Sequence, residues 1–147
     1  MRIFLDANIF VAASGSDTGG SRYLFRIAER EHNWHLLTSA YVVNEARVNV
    51  RRAFPSHQTI FEQLITALPL TIVHDPPPSF FRIAQAVISP KDVPILAVAA
   101  FTRADFLCTL DQKDFHTPRV QKWSAQFNMK IVFPKDLLLR WRRDKRS

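Results

Sequence analysis

The sequence predicts an α/β protein built on a parallel sheet with helices covering both faces. Two observations predict it. Short apolar runs alternate with longer stretches of helical spacing along the whole chain. The first run, RIFL, lacks the in–out alternation of a half-exposed strand and reads as a strand buried on both faces. Size bounds the rest: 147 residues with 47% hydrophobic content make a single domain, 1–147, long enough to bury a core.

After RIFL, the stretch SGSDTGGS reads as a loop, and SRYLFRIAERE carries apolar residues at Tyr23, Leu24, Ile27 and Ala28, a helical period. WHLLT is a short strand. Ser39 is the expected cap of a helix over AYVVNEARVNVRR. Residues 56–68 form another amphipathic helix and LTIV a strand. DPPPS punctuates the chain without dividing it, since neither half would fold well alone. PSFFRIAQAV reads as a helix, and DVPILAVAAFTR as a strongly apolar one. DFLCTL is a strand, PRVQKWSAQFN a helix, and MKIVF the last strand. PKDLLLRWRR closes the chain as a helix with Pro134 near its start, leading into a basic tail over 140–147.

Several classes of protein are excluded. With three glycines there is no GxxxxGK[ST] loop to cradle phosphates. No apolar run reaches the ~20 residues that span a bilayer, so no membrane association is expected. The first residues lack the pattern of a signal peptide. Cys108, the only cysteine, sits in an apolar run and reads as core; its solitude rules out an internal disulfide and fits a cytoplasmic protein. The five histidines fall in loops or at element ends, which leaves no Ser–His, Cys–His or paired-His arrangement. A formal net charge of +7, with a pI near 10.2, favours a polyanionic partner.

Against that basic background the placement of the acids stands out. Asp6 follows the first strand directly, and Asp111 ends DFLCTLD. In a parallel sheet both open onto the rim beyond the strands' carboxyl ends, where ligands bind. Asp92 stands just before the apolar helix, and Glu45 lies about a turn into the helix after WHLLT, flanked by Tyr41, Val42 and Val48. Each has a plain structural alternative. Asp92 is well placed as an N-cap, which taken alone is the favoured reading. Asp111 and Asp114 suit a turn, and Glu45 a solvated helix face. Together, four carboxylates at one sheet edge would repel and raise one another's pKa, which a bound divalent cation relieves. Oxygen-only ligands favour a hard ion such as Mg2+ or Mn2+.

The stretches FLDANIFVAA at 4–13, TSAYVVNEA at 38–46 and KDVPILAVAAFTRADFLCTLDQKDF at 91–115, with the late strand and helix, resemble the PIN-domain nucleases. That family includes the toxin ribonucleases of bacterial toxin–antitoxin systems. The resemblance implies a three-layer α/β/α sandwich on a parallel sheet of about four to five strands, with the first strand central. It implies that Asp6, Glu45, Asp92 and Asp111 are the catalytic, metal-holding acids, with Asp114 a fifth ligand or an alternative to Asp111. Leu110 departs from the small or polar residue that many relatives carry before the fourth acid. The implied activity is metal-dependent hydrolysis of RNA phosphodiester bonds. An antitoxin partner and a homodimer are implied as well, and a non-catalytic RNA-binding or scaffold domain is the alternative. Single-stranded RNA is the substrate the charge suits. Arg47, Arg51 and Arg52, which follow Glu45 on its helix, are candidate phosphate contacts; Arg52 shares the face of Glu45 with Asn49. Asn8 is a further candidate at the substrate, or an orienting partner of Asp6 or of a bound water. Trp141 reads as a packing residue of the last helix.

Overall fold

The computed structural model describes all residues, Met1–Ser147. Five parallel strands form one sheet: β1 (Arg2–Leu5), β2 (His35–Ser39), β3 (Leu70–Val73), β4 (Phe106–Cys108) and β5 (Lys130–Val132), in the order β3-β2-β1-β4-β5. The central strand is the first, and its residues Ile3, Phe4 and Leu5 are fully buried, as are Leu107 and Cys108 beside them. Burial on both faces explains why these runs show no alternation. β3 lies at an edge and stays half exposed.

Eight α-helices connect the strands: α1 (Ala7–Gly15), α2 (Gly20–Arg30), α3 (Ala40–Ala53), α4 (Gln58–Ala67), α5 (Pro78–Ala84), α6 (Val93–Phe101), α7 (Pro118–Ala125) and α8 (Pro134–Arg146). From β1 the chain steps outward through β2 to β3, then returns past β1 to β4 and β5. Right-handed crossovers therefore put α1–α4 on one face and α5–α7 on the other. The interhelical packing agrees, with α1 against α2, α3 and α4, and α5 against α6. The result is a three-layer PIN-like α/β/α sandwich. No helix is long and apolar enough to cross a membrane.

Local chemistry accounts for the elements. Ser39 caps α3 as expected, its hydroxyl accepting from the Val42 N–H at 3.2 Å. Val93 and residues 95–100 of α6 are all buried. That explains a helix apolar all round, and Pro94 is tolerated in its first turn.

Several boundaries differ from the sequence expectation. The expected loop at 14–21 shrinks to 16–19, because α1 runs to Gly15 and α2 starts at Gly20. Close packing explains the glycine at the end of α1: a Cβ on Gly15 would stand 2.6 Å from the Phe54 ring. The helix of 78–87 stops at Ala84. The basic tail is no appendage, since α8 continues to Arg146. Within α8, Trp141 packs edge-on against Tyr23, and its indole N–H donates to Glu31 at 2.9 Å.

Candidate metal centre

Strand connections diverge between β1 and β4, and at such a switch point an open sheet leaves a crevice at the strands' carboxyl ends. Asp6 sits there, next to the end of β4, its N–H bonded to the Cys108 carbonyl at 3.1 Å. Its side chain is nearly closed off from solvent, at 4% exposure. Three donors hold it: the Ala7 N–H and the Thr109 hydroxyl, each at 2.7 Å, and the Asn8 amide at 3.3 Å. Asp6 is therefore the N-cap of α1, where the helix dipole also favours a carboxylate. Burial nevertheless outweighs these bonds. With the charges of Glu45 and Asp92 adding to it, desolvation pushes the Asp6 carboxyl up to about 6.

Asp92 reverses the expectation. It occupies the cap position of α6, yet its side chain makes no capping bond. It accepts instead from the Ser89 hydroxyl at 2.9 Å. One residue of helical backbone (φ −99°, ψ −12°) turns the carboxylate away from the N–H groups a cap would serve. Asp111 lies three residues past the end of β4, and one oxygen does accept from the Asp114 N–H at 3.0 Å, the turn role open to it. Its carboxylate also meets those of Asp92 and Asp114, ligand atoms of all three lying within 4.8 Å of one another.

Glu45, on α3, lies outside this trio but near enough to feel the charge of Asp92. Its Oε2 is buried without a hydrogen-bond partner. Desolvation, then Asp92, raise its carboxyl, with Lys91 opposing. Asp92 is likewise raised, first by desolvation and then by Asp114 and Asp111, against the pull of Ser89 and Lys91. The only ion pair in the group is Lys91 Nζ to Asp114 Oδ2 at 3.5 Å, and Lys91 itself is exposed. Asp92, Asp111 and Asp114 thus cluster beside one ammonium. Asp6 and Glu45 stand outside that trio but near enough for their charges to act on it and on each other, with one Glu45 oxygen buried and unbonded. That donor set, all oxygen and over-rich in negative charge, fits a divalent cation.

Four residues that hold the acids were not singled out in the sequence. Thr109, fully buried, links three pieces: it donates to Asp6 and accepts from the Asn8 amide and the Asp111 N–H, each at 3.1 Å. Ser89 and Lys91 fix Asp92 and Asp114. The Tyr41 hydroxyl donates to the Lys91 carbonyl at 3.1 Å. A threonine two positions before an acid, where an apolar run ends, was the available signal for the first. The serine three before Asp92 was the signal for the second.

The basic candidates divide. Arg47 is committed: its guanidinium is bidentate to Glu62 at 2.6 and 3.3 Å, bonds Asn44 at 3.1 Å, and lies over the Phe61 ring. Three of its five N–H groups are thereby taken. Arg51 faces the same hollow as Arg47, toward α4. Arg52 opens on the other side, in a groove with Glu45 and Asn49. Asn8 is spent on structure, its amide donating to Asp6 and Thr109 and its oxygen accepting from the Leu110 N–H at 3.0 Å.

No protein-family model and no curated protein matches the sequence. Solved structures do match the fold. VapBC2 from Rickettsia felis, bound to a DNA fragment from the promoter, aligns with a TM-score of 0.66 at 15% identity, over 90% of this chain and 98% of that one. VapBC-1 from nontypeable Haemophilus influenzae aligns at 0.58 and 15% identity, over 92% and 99%. Mycobacterium tuberculosis VapC20, described as a sarcin-ricin loop cleaving toxin, aligns at 0.56 and 15% identity, over 76% and 91%. The chain thus has the fold of these PIN-domain structures. At such identity the likeness is one of fold alone.

Proposed function

We propose that this protein is a metal-dependent endoribonuclease that hydrolyses RNA phosphodiester bonds, and that it acts as the toxin of a toxin–antitoxin pair. The observation that carries the reading is the convergence of Asp92, Asp111 and Asp114, within 4.8 Å, on the rim that also holds Asp6 and Glu45. Nothing structural requires so many acids together, and their mutual repulsion works against the fold. The fold shared with VapC20 and the VapBC complexes supports the toxin assignment.

Asp6, Glu45, Asp92 and Asp111, with Asp114, hold Mg2+ or Mn2+. When bound, such an ion offsets charge on the phosphate and lowers the pKa of the attacking water. The remaining work falls to the chain. Thr109 and Asn8 hold Asp6 Oδ2, the Ala7 N–H holds Oδ1, and Ser89 holds Asp92 Oδ2, each bond favouring the charged form. Lys91 holds Asp114. Single-stranded RNA suits the basic surface. An antitoxin chain, a homodimer and a cytoplasmic setting complete the proposal.

The test is cleavage of a mixed pool of single-stranded RNA by purified protein, with Mg2+ or Mn2+ against EDTA. Cutting that needs the metal, and that disappears in folded Asp6→Asn and Asp92→Asn proteins, is the expected result. Tight RNA binding with no cleavage under any metal would replace this reading with the non-catalytic one.

A further inference from the structure

Beside the acids, the outward face of α3 carries side chains that packing leaves open. Tyr41, Glu45, Val48, Asn49 and Arg52 line a groove of about 370 Å³ along it. Tyr41 and Val48 are 43% and 40% exposed, large apolar groups left open on a helix whose other face is core. The Tyr41 ring is not free to swing, because its hydroxyl is bonded to the Lys91 carbonyl across the site. Arg52, at the far end, enters no ion pair, while Arg47, one helical turn before Arg51, is paired with Glu62. Glu45, with its unbonded buried oxygen, lies in the same groove.

We infer that this groove is the track for the RNA strand, a step that rests on the nuclease reading above. The Tyr41 ring stacks on an unpaired base next to the metal site, and Arg52 takes a backbone phosphate further along. The helix spaces these two residues by eleven positions, roughly 16 Å, room for a short run of nucleotides. Aromatic stacking is indifferent to sequence but needs an unstacked base, so the track selects single strands over duplex. A ring pinned in advance loses little freedom when the base arrives. Polarity along the strand follows: the base on Tyr41 lies beside the cut, and the flank on Arg52 is held by charge alone.

Two readouts test this on the intact protein. One is the dependence of cleavage rate on the concentration of a single-stranded RNA. The other is fluorescence anisotropy of the same labelled RNA in Ca2+. Tyr41→Ala and Arg52→Ala raise KM and Kd by about tenfold each, with kcat within a few-fold, from loss of a stacked base or a phosphate contact. Tyr41→Phe, which keeps the ring but loses the bond to the Lys91 carbonyl, weakens Kd far less than Tyr41→Ala does. Arg26→Ala, removing one exposed charge from α2, controls for overall charge. Duplex RNA of the same sequence binds more weakly than the single strand.

If wild type cleaves and both alanine variants match its KM, the track is wrong and the nuclease stands. If wild type fails to cleave but Tyr41→Ala still loses RNA affinity, the nuclease reading falls and the track remains. Equal binding of duplex and single strand overturns the stacking role of Tyr41. Equal binding and cutting of single-stranded DNA overturns RNA as the occupant.

Discussion

The Thr109 hydroxyl donates to Asp6 Oδ2 at 2.7 Å, across 103 positions of sequence, and so ties the end of β4 to the end of β1. Because the same oxygen accepts from the Asp111 N–H, one side chain sets two of the acids. Thr109→Val keeps the volume and the β-branch but loses the hydroxyl. The variant leaves the Asn8 amide and the Asp111 N–H short of a partner as well. We expect cation affinity and RNA cleavage to fall about 10- to 100-fold, as for other partners of metal ligands. Thr109→Ser should recover most of both. Calorimetric titration with Mn2+ measures the first and initial rates the second; a fully active Thr109→Val protein would remove Thr109 from the site.

The raised carboxyl of Asp6 makes the metal-free fold sensitive to pH in a direction opposite to the usual salt-bridged acid. Between its ordinary value of 3.8 and about 6, the folded chain holds the proton more tightly than the unfolded chain does. Stability is therefore fully present below the lower value and declines as pH rises through the upper one, by an amount on the order of 3 kcal/mol. Glu45 and Asp92, also raised, act in the same sense. In EDTA, urea denaturation should show Asp6→Asn more stable than wild type at pH 7, with the gap closing towards pH 4. Cation binding follows the opposite course, tightening as pH rises through about 6, since metal and proton compete for the same oxygens. An Asp6→Asn protein less stable than wild type at pH 7 would mean that the capping bonds outweigh desolvation.

Much of this arrangement was legible in the sequence because it depends on local pattern. Strands buried on both faces lose their alternation, helices keep their period, and an acid placed just past a buried strand can only emerge at one rim. Asp6 and Asp111 could be placed for that reason and Asp92 and Glu45 by the helices that carry them, whereas Asp114 entered as a ligand only through the family resemblance. What stayed hidden was which oxygen bonds to which hydrogen. Asp92 looked like a cap and is not one, while Asp6 is a cap. With no helix recognised over 7–15, Asp6 had no helix to cap, and nothing in the sequence fixed the backbone turn at Asp92. The partner of Arg47 was equally invisible, since Glu62 lies 15 positions away and the pairing depends on how α3 and α4 pack.

That pairing separates stability from substrate contact. The Arg47–Glu62 bridge is bidentate but partly exposed, at 38% and 50% of the two side chains, so water screens it. Arg47→Ala should cost about 1 kcal/mol, including the packing of its stem and its place over Phe61. Glu62→Gln should cost less. Neither should raise the KM for RNA, whereas Arg52→Ala should. Denaturation midpoints beside cleavage kinetics distinguish the two residues; a KM effect of Arg47→Ala matching that of Arg52→Ala would return Arg47 to the RNA surface.

Glu45 offers the sharpest test of whether the acids serve a cation or the fold. A buried carboxylate oxygen without a partner is unfavourable by about 1–3 kcal/mol or more, a cost that a bound cation would offset. Glu45→Gln retains the shape while removing the charge that Asp92 opposes. Without metal, the variant should be at least as stable as wild type at pH 7. With Mn2+ present, wild type should gain stability in proportion to its occupancy, and the variant should gain far less, because binding to the folded state alone shifts unfolding by mass action. The two melting curves in EDTA and in saturating Mn2+ decide it. If Glu45→Gln is destabilised in EDTA and stabilised by Mn2+ as much as wild type, Glu45 belongs to the fold, and the cation is held by Asp6, Asp92, Asp111 and Asp114 without it.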